Sequence, residues 1–307
     1  MYKRLELHNH TIESDGNLTA QQLIDWMLND QVDAFALTDH NTISGHMKVE
    51  KILKEQALDI SCIYGMEYTT YYGHILCFNL KEYVPWENIN KHQPELLFKA
   101  IQEKGALAGI AHPFSAGYPI ATCGFEMTFT DYSYIDFIEI FNNPEPLHTV
   151  NERGLLWWED LILKGHPIAA TSGMDLHNRA SMQNQFATFI ESETNDAIAT
   201  ELSTAIKSGK TWVSKGPLLK WEVNPALQTI DFSIIPTSKS GYIKPQDLPY
   251  LLSLRTKKET LYIPFDSKVS LMIPFEHFNT ESIIIPKLYQ GTSHIENLVC
   301  VSPVLYL

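Results

Sequence analysis

The sequence predicts an α/β protein, with parallel β/α units over the first two thirds and a small antiparallel β domain behind them. Three observations carry that prediction. The 307 residues suit two domains, or one large barrel with an appendage, at roughly 150 residues per domain. Short apolar runs alternate with amphipathic stretches, the pattern of parallel strands covered by helices. The composition then changes at Lys215-Gly216-Pro217, beyond which no helical period persists.

The apolar runs predict strands at Arg4–Leu7, Asp33–Leu37, Ser61–Gly65, His74–Asn79, Ala106–Ala111, Ile135–Phe141, Pro167–Thr171 and Phe186–Ile190. Between them, Thr19–Leu28 reads as a helix with Thr19 as N-cap and Leu23, Ile24, Met27 and Leu28 on one face, since helical neighbours recur every three to four residues. Ser44–Ala57 is a second helix. Pro94–Lys104 opens near a proline and stops before Gly105, the usual asymmetry of helix ends. Val150–Leu163 and Asn195–Ser208 come next, the latter stopped by Gly209. Past the boundary, short strands are expected at Leu218–Val223, Ile230–Ile235, Leu251–Arg255, Lys268–Ile273, Ser282–Pro286 and Leu298–Leu307, separated by Pro, Asn, Ser and Gly. The division expected is therefore 1–217 and 218–307.

Composition removes several classes. Hydrophobic residues make up 44% and charged residues 19%, which excludes disorder, collagen and coiled coil. Lys and Arg number 23 against 36 Asp and Glu, a net charge of -13, so long nucleic acid is not an expected partner. The four cysteines are far apart with no CxxC, and a core of this size needs no disulfides, so thiols in a reducing compartment are expected. No stretch approaches the roughly 18 apolar residues of a membrane span. The expectation is a cytoplasmic protein with no membrane partner.

The chemistry lies just beyond the apolar runs. His8-Asn9-His10 and then Asp15 come after the first, Thr38-Asp39-His40 after the second, Glu67 after the third, His112-Pro113 after the fifth, and Asp175-Leu176-His177 after the seventh. In a parallel barrel the carboxyl ends of the strands open on one face, so these ligand types converge. Strand residues two apart point to the same side, so His8 and His10 can share an ion, and Asp175 and His177 have the same spacing. A lone His-x-His pair is weak, since about half a pair is expected by chance; five strand ends carrying ligands are not.

LHNHTIESDG, LTDHNT, GMEYTT followed by GHIL, AHP and SGMDLH resemble, in order over residues 1–217, the motifs of the PHP (polymerase and histidinol phosphatase) superfamily. The GMEYTT…GHIL hairpin and WVSKGP resemble its CehA/McbA-like branch. The resemblance implies a distorted, TIM-like barrel of seven β/α units, two or three divalent transition-metal ions, and hydrolysis of phosphoesters. It implies one metal site from His8, His10, Glu67 and Asp175, a second from Asp15, His40 and His177, and a third sharing Glu67 with His74 and His112. His74 begins its strand, and a hairpin over Tyr68–Gly73 would return it to Glu67. Imidazole and carboxylate suit Zn, Mn or Fe. Glu67 and Asp175 are expected to orient a metal-bound hydroxide, made from water that loses its proton near neutral pH.

Other positions have two readings each. Arg179 is a phosphate clamp or a surface arginine. Glu139, inside its strand, orients a ligand histidine or pairs within the barrel. Asn142 and Asn143 contact substrate or shape a turn. Phe114–Tyr134 is long for a structureless connection and is a candidate lid. The reading is a phosphoesterase acting on a small phosphorylated molecule. The alternatives are a metal-dependent C–N hydrolase, which would more often show a bridging lysine than Glu67, and a non-catalytic metal-bearing binding module. The β domain's partner stays open.

Overall fold

The structure, a computed structural model, describes residues 1–115, 124–142, 149–195, 197–237, 248–266, 270–278 and 281–307. Asn143 and residues 116–123 of the Phe114–Tyr134 segment lie outside the described residues. In order, the first part comprises β1 (Tyr2–Glu6), α1 (Ala20–Asn29), β2 (Ala34–Leu37), α2 (His46–Gln56), β3 (Ser61–Thr70), β4 (Gly73–Phe78), α3 (Glu95–Glu103), β5 (Leu107–Ile110), β6 (Phe137–Asn142), α4 (Thr149–Leu163), β7 (Ala169–Gly173), β8 (Ala187–Glu191), α5 (Ile198–Lys207) and β9 (Trp212–Ser214). The rest is β: β10 (Leu218–Asn224), β11 (Thr229–Ile235), β12 (Tyr250–Arg255), β13 (Thr260–Phe265), β14 (Leu271–Pro274), β15 (Ile283–Gln290), β16 (Leu298–Val301) and β17 (Leu305–Tyr306).

The fold is mixed α/β with a parallel core. β1, β2 and β3 pair in parallel, as do β5, β6 and β7. The hairpin partner β4 is antiparallel to both β3 and β5. It runs back because only Tyr71 and Tyr72 separate the two strands, too few for the crossover a parallel neighbour requires. β8 departs from the expected parallel units: no helix lies between β7 and β8, and β8 pairs antiparallel with β1. The described residues accordingly hold five α-helices, fewer than seven β/α units would supply. A closed ring is likewise not seen, since the ladder joins β8 through β1 to β7 with no pairing of β7 to β8. The Thr188 hydroxyl spans that seam instead, accepting from the Ser172 N–H at 2.9 Å and donating to its carbonyl at 3.0 Å.

Sequence logic explains the helices. The Thr19 hydroxyl accepts from the Gln22 N–H and Gln22 answers to the Thr19 N–H, a complete capping box. Leu23, Ile24 and Met27 are buried, while Leu28, expected beside them, is 37% exposed. α5 closes the amino end of the strands: Ile198, Leu202 and Ile206 pack with Leu5, Ile63, Leu76 and Phe137.

The main sheet continues past β9 through β16, β15 and β12 to β13. A second sheet, β10-β11-β14, is antiparallel throughout. β13 is not evident from the sequence because Pro264 breaks its pattern, yet as an edge strand it tolerates the missing amide. β15 passes through Pro286 because its ladder with β16 begins only at Lys287. The expected strand Leu298–Leu307 divides in two around Pro303. Buried Glu159 of α4 takes Lys287 at 2.5 Å and the Arg255 guanidinium, tying the helix to the C-terminal strands.

Candidate metal centre

The strand ends bring their candidate ligands to one point. His8 and His10 lie just past β1, and an isolated bridge from Asn9 to Leu176 holds their segment beside the exit of β7. His8 Nε2 lies 3.1 Å from Glu67 Oε2 and 3.4 Å from Asp175 Oδ1. His10 Nε2 lies 3.3 and 2.9 Å from the same two oxygens. These four atoms are buried and have no hydrogen-bond partner. Ligands about 2.1 Å from a tetrahedral ion stand about 3.4 Å apart, so their spacing fits a cation placed among them.

Glu67 is the hub. Its Oε2 also faces His40 Nδ1 at 2.9 Å, while Oε1 meets His74 Nδ1 at 2.7 Å and His112 Nε2 at 3.0 Å. The β3–β4 hairpin sets Thr69 opposite His74 and so returns the histidine to Glu67. Asp15 Oδ1 lies 3.2 Å from His177 Nε2 and 3.5 Å from His40 Nε2, and His10 stacks on both rings at 4.2 Å. Three groups able to hold an ion result: His8, His10, Glu67 and Asp175; His10, Asp15, His40 and His177; and Glu67, His74 and His112. His8, His112 and Glu139 form a fourth grouping.

The electrostatics reflect this crowding. Burial would keep the His8 imidazole neutral, but Glu139, Asp175 and Glu67 raise it well above the usual value. Burial acts the same way on His10, and Asp175 and Glu67 outweigh it to reach about 9. Burial would raise Glu67, yet His8 and His74 draw it well below the carboxylate range. Asp175 is lowered against its burial by His8 and His10. Glu6, beneath it, is raised by burial to about 7 despite N–H groups from Met174 and His8.

Supporting residues fix the rings. Glu139 Oε1 pairs with His8 Nδ1 at 3.0 Å, and Oε2 accepts from the His112 N–H at 3.0 Å and from Asn142 Nδ2 at 3.1 Å. That arrangement aims His8 Nε2 into the cluster, as outer partners of metal-binding histidines do. Asn142 is thereby placed behind the ligands. Arg179 is exposed, its guanidinium 5.6 Å from the Trp26 ring. His112 and Asp175 hold φ of 23° and 51°, a left-handed backbone that costs energy and clusters at functional sites. Gly173 has no room for a side chain, since a Cβ there would stand 2.5 Å from His8 Cβ. Sequence reasoning assigns no role to Gly173, Thr69 or Asp39, although Asp39 adjoins a proposed ligand within its motif.

Residues 6–112 match the PHP domain family. The PHP match takes in His8, His10, Asp15, His40, Glu67, His74 and His112 and stops short of Asp175 and His177. An uncharacterized protein of Methanocaldococcus jannaschii is 33% identical over 111 residues, 36% of this chain and 58% of that protein; the chain thus spans less than two thirds of that relative's length. A crystal structure of a two-domain protein from Bacteroides vulgatus, containing a predicted PHP-like metal-dependent phosphoesterase, is similar with a TM-score of 0.55 and 16% identity, covering 99% of this chain and 95% of that one. That likeness extends over both parts of the fold.

Proposed function

We propose that this chain is a metal-dependent phosphoesterase, CehA/McbA-like within the PHP superfamily, acting on a small phosphomonoester or phosphodiester in the cytoplasm. The observation that carries the reading is Glu67, one buried carboxylate faced by five imidazoles. A carboxylate at the hub, where C–N hydrolases of similar architecture use lysine, favours phosphoryl chemistry over that alternative.

His8, His10 and Asp175 would hold one ion with Glu67, Asp15, His40 and His177 a second, and His74 and His112 a third with Glu67. Two or three ions of Zn, Mn or Fe suit these nitrogen and oxygen donors. Such ions, when bound, acidify water and neutralise phosphoryl oxygens. Glu139 keeps His8 oriented, and Glu67 and Asp175 orient the attacking water. Arg179, two residues past His177, serves the outward phosphoryl oxygens with a planar fork that can grip two at once; Asn142 supports the site through Glu139.

Elemental analysis after reconstitution with Mn or Zn should find two or three ions per chain. His10→Ala and Asp175→Ala should each abolish hydrolysis across a panel of phosphomonoesters and phosphodiesters while the fold stays intact by circular dichroism. Under one ion per chain, or unchanged turnover in both variants, would overturn the proposal.

A further inference from the structure

Asp15 is the weakest-held member of the cluster. Its side chain is 59% exposed, against 20% for His40 and 30% for His177, and it sits on a loop between β1 and α1. A carboxylate this exposed loses rotamer freedom when it binds an ion, so something must fix the loop.

The fixing group is Asp39. It is 2% exposed, at the exit of β2, and immediately precedes His40. Its Oδ1 accepts from the Thr11 N–H and the Ser14 hydroxyl, both at 2.7 Å, and its Oδ2 accepts from the Thr11 hydroxyl at 2.8 Å. No imidazole is among these partners. The Thr11 carbonyl in turn receives the N–H groups of Ser14 at 3.1 Å and Gly16 at 3.0 Å, closing the turn that presents Asp15. Gly16 leaves that turn no alternative, since a Cβ there would lie 2.5 Å from the His10 carbonyl. Three hydrogen bonds thus converge on one buried carboxylate, and only the one from the Thr11 N–H has a fixed direction, since a hydroxyl can donate or accept.

We propose that Asp39 is a positioning residue for the outer ion site of His10, Asp15, His40 and His177, acting through the Asp15 loop without touching the ion. The proposal rests on the metal-centre reading above. Residues of this kind typically change metal affinity ten- to a hundredfold.

The test uses Mn(II) alone, titrated into the chelator-treated full chain and followed by electron paramagnetic resonance, so that it needs no substrate. Asp39→Ala should weaken one class of site by about ten- to a hundredfold and leave the others unchanged. Asp39→Asn should retain most of the affinity, because the Thr11 hydroxyl can reverse and accept from the new amide. Ser14→Ala removes a single bond and serves if Asp39→Ala fails to fold; it should weaken the same class by a smaller factor. In an Asp15→Ala background, Asp39→Ala should add nothing, as expected of two residues acting as one unit. Unchanged affinities, equal weakening of every site, or a full effect of Asp39→Ala in the Asp15→Ala background each overturn the proposal while leaving the metal centre standing. A wild-type chain that binds no Mn(II) overturns the metal centre and this proposal together.

Discussion

Crowding five imidazoles against Glu67 has a pH consequence for the metal-free chain. The His10 imidazole is raised from 6.5 to about 9 in the folded state. Its contribution is therefore fully present below pH 6.5 and lost as the pH rises through about 9. His8 and His112 are raised too and add to the loss, while His74 is lowered by burial and does not. Glu67 is lowered and keeps its charge across the window. Chelator-treated protein should thus be less stable at pH 9.5 than at 6.5, by on the order of 3 kcal/mol from His10, measured by thermal unfolding. An ion displaces the same protons, so loaded protein should lose much less over that range; a flat profile for the metal-free form would contradict the cluster's electrostatics. Most of the candidate ligands are legible in the sequence because they follow an apolar run. Asp39 and Gly173 are not, because their roles depend on what folds against them: three hydrogen-bond donors from another loop, and the His8 side chain.

At the level of elements, the ladder is interrupted between β7 and β8, the strands on either side of Asp175 and His177. Thr188 Oγ1 is the described bridge to the main chain of Ser172, and both residues are buried. Thr188→Val keeps the shape and removes the hydroxyl, leaving a buried N–H and carbonyl without that partner, which should cost about 2–3 kcal/mol of unfolding free energy. Urea denaturation checks the figure; a loss below about 0.5 kcal/mol would show that the seam is held by packing. Apolar runs locate the strands of the first part, since a strand buried on both faces declares itself in composition. They cannot give the direction of β8, which is decided by the absence of a helix before it. Nor can they reveal β13, which lies on an edge where a proline is tolerated.

On the scale of the whole molecule, β9 joins the two parts: it pairs with β8 on one side and with β16 on the other. Ala187, Phe189 and Trp212 pack with Leu218, Leu252 and Leu288 from beyond the expected boundary. A chain ending at residue 217 would bare that apolar face and one edge of β9, and would strip Glu159 of Lys287 and Arg255. Bare edges invite pairing with other chains. The 1–217 fragment should therefore aggregate in size-exclusion chromatography, whereas a soluble, monomeric fragment would mark the boundary as a true division. The same pairing imposes a timetable during synthesis. The candidate ligands leave the ribosome between residues 8 and 177, but the strand that covers β9 arrives only at Leu298–Val301. At 5–20 residues per second the nascent chain carries its uncovered edge for roughly 5–20 s, an interval in which the growing chain is open to capture by other strands.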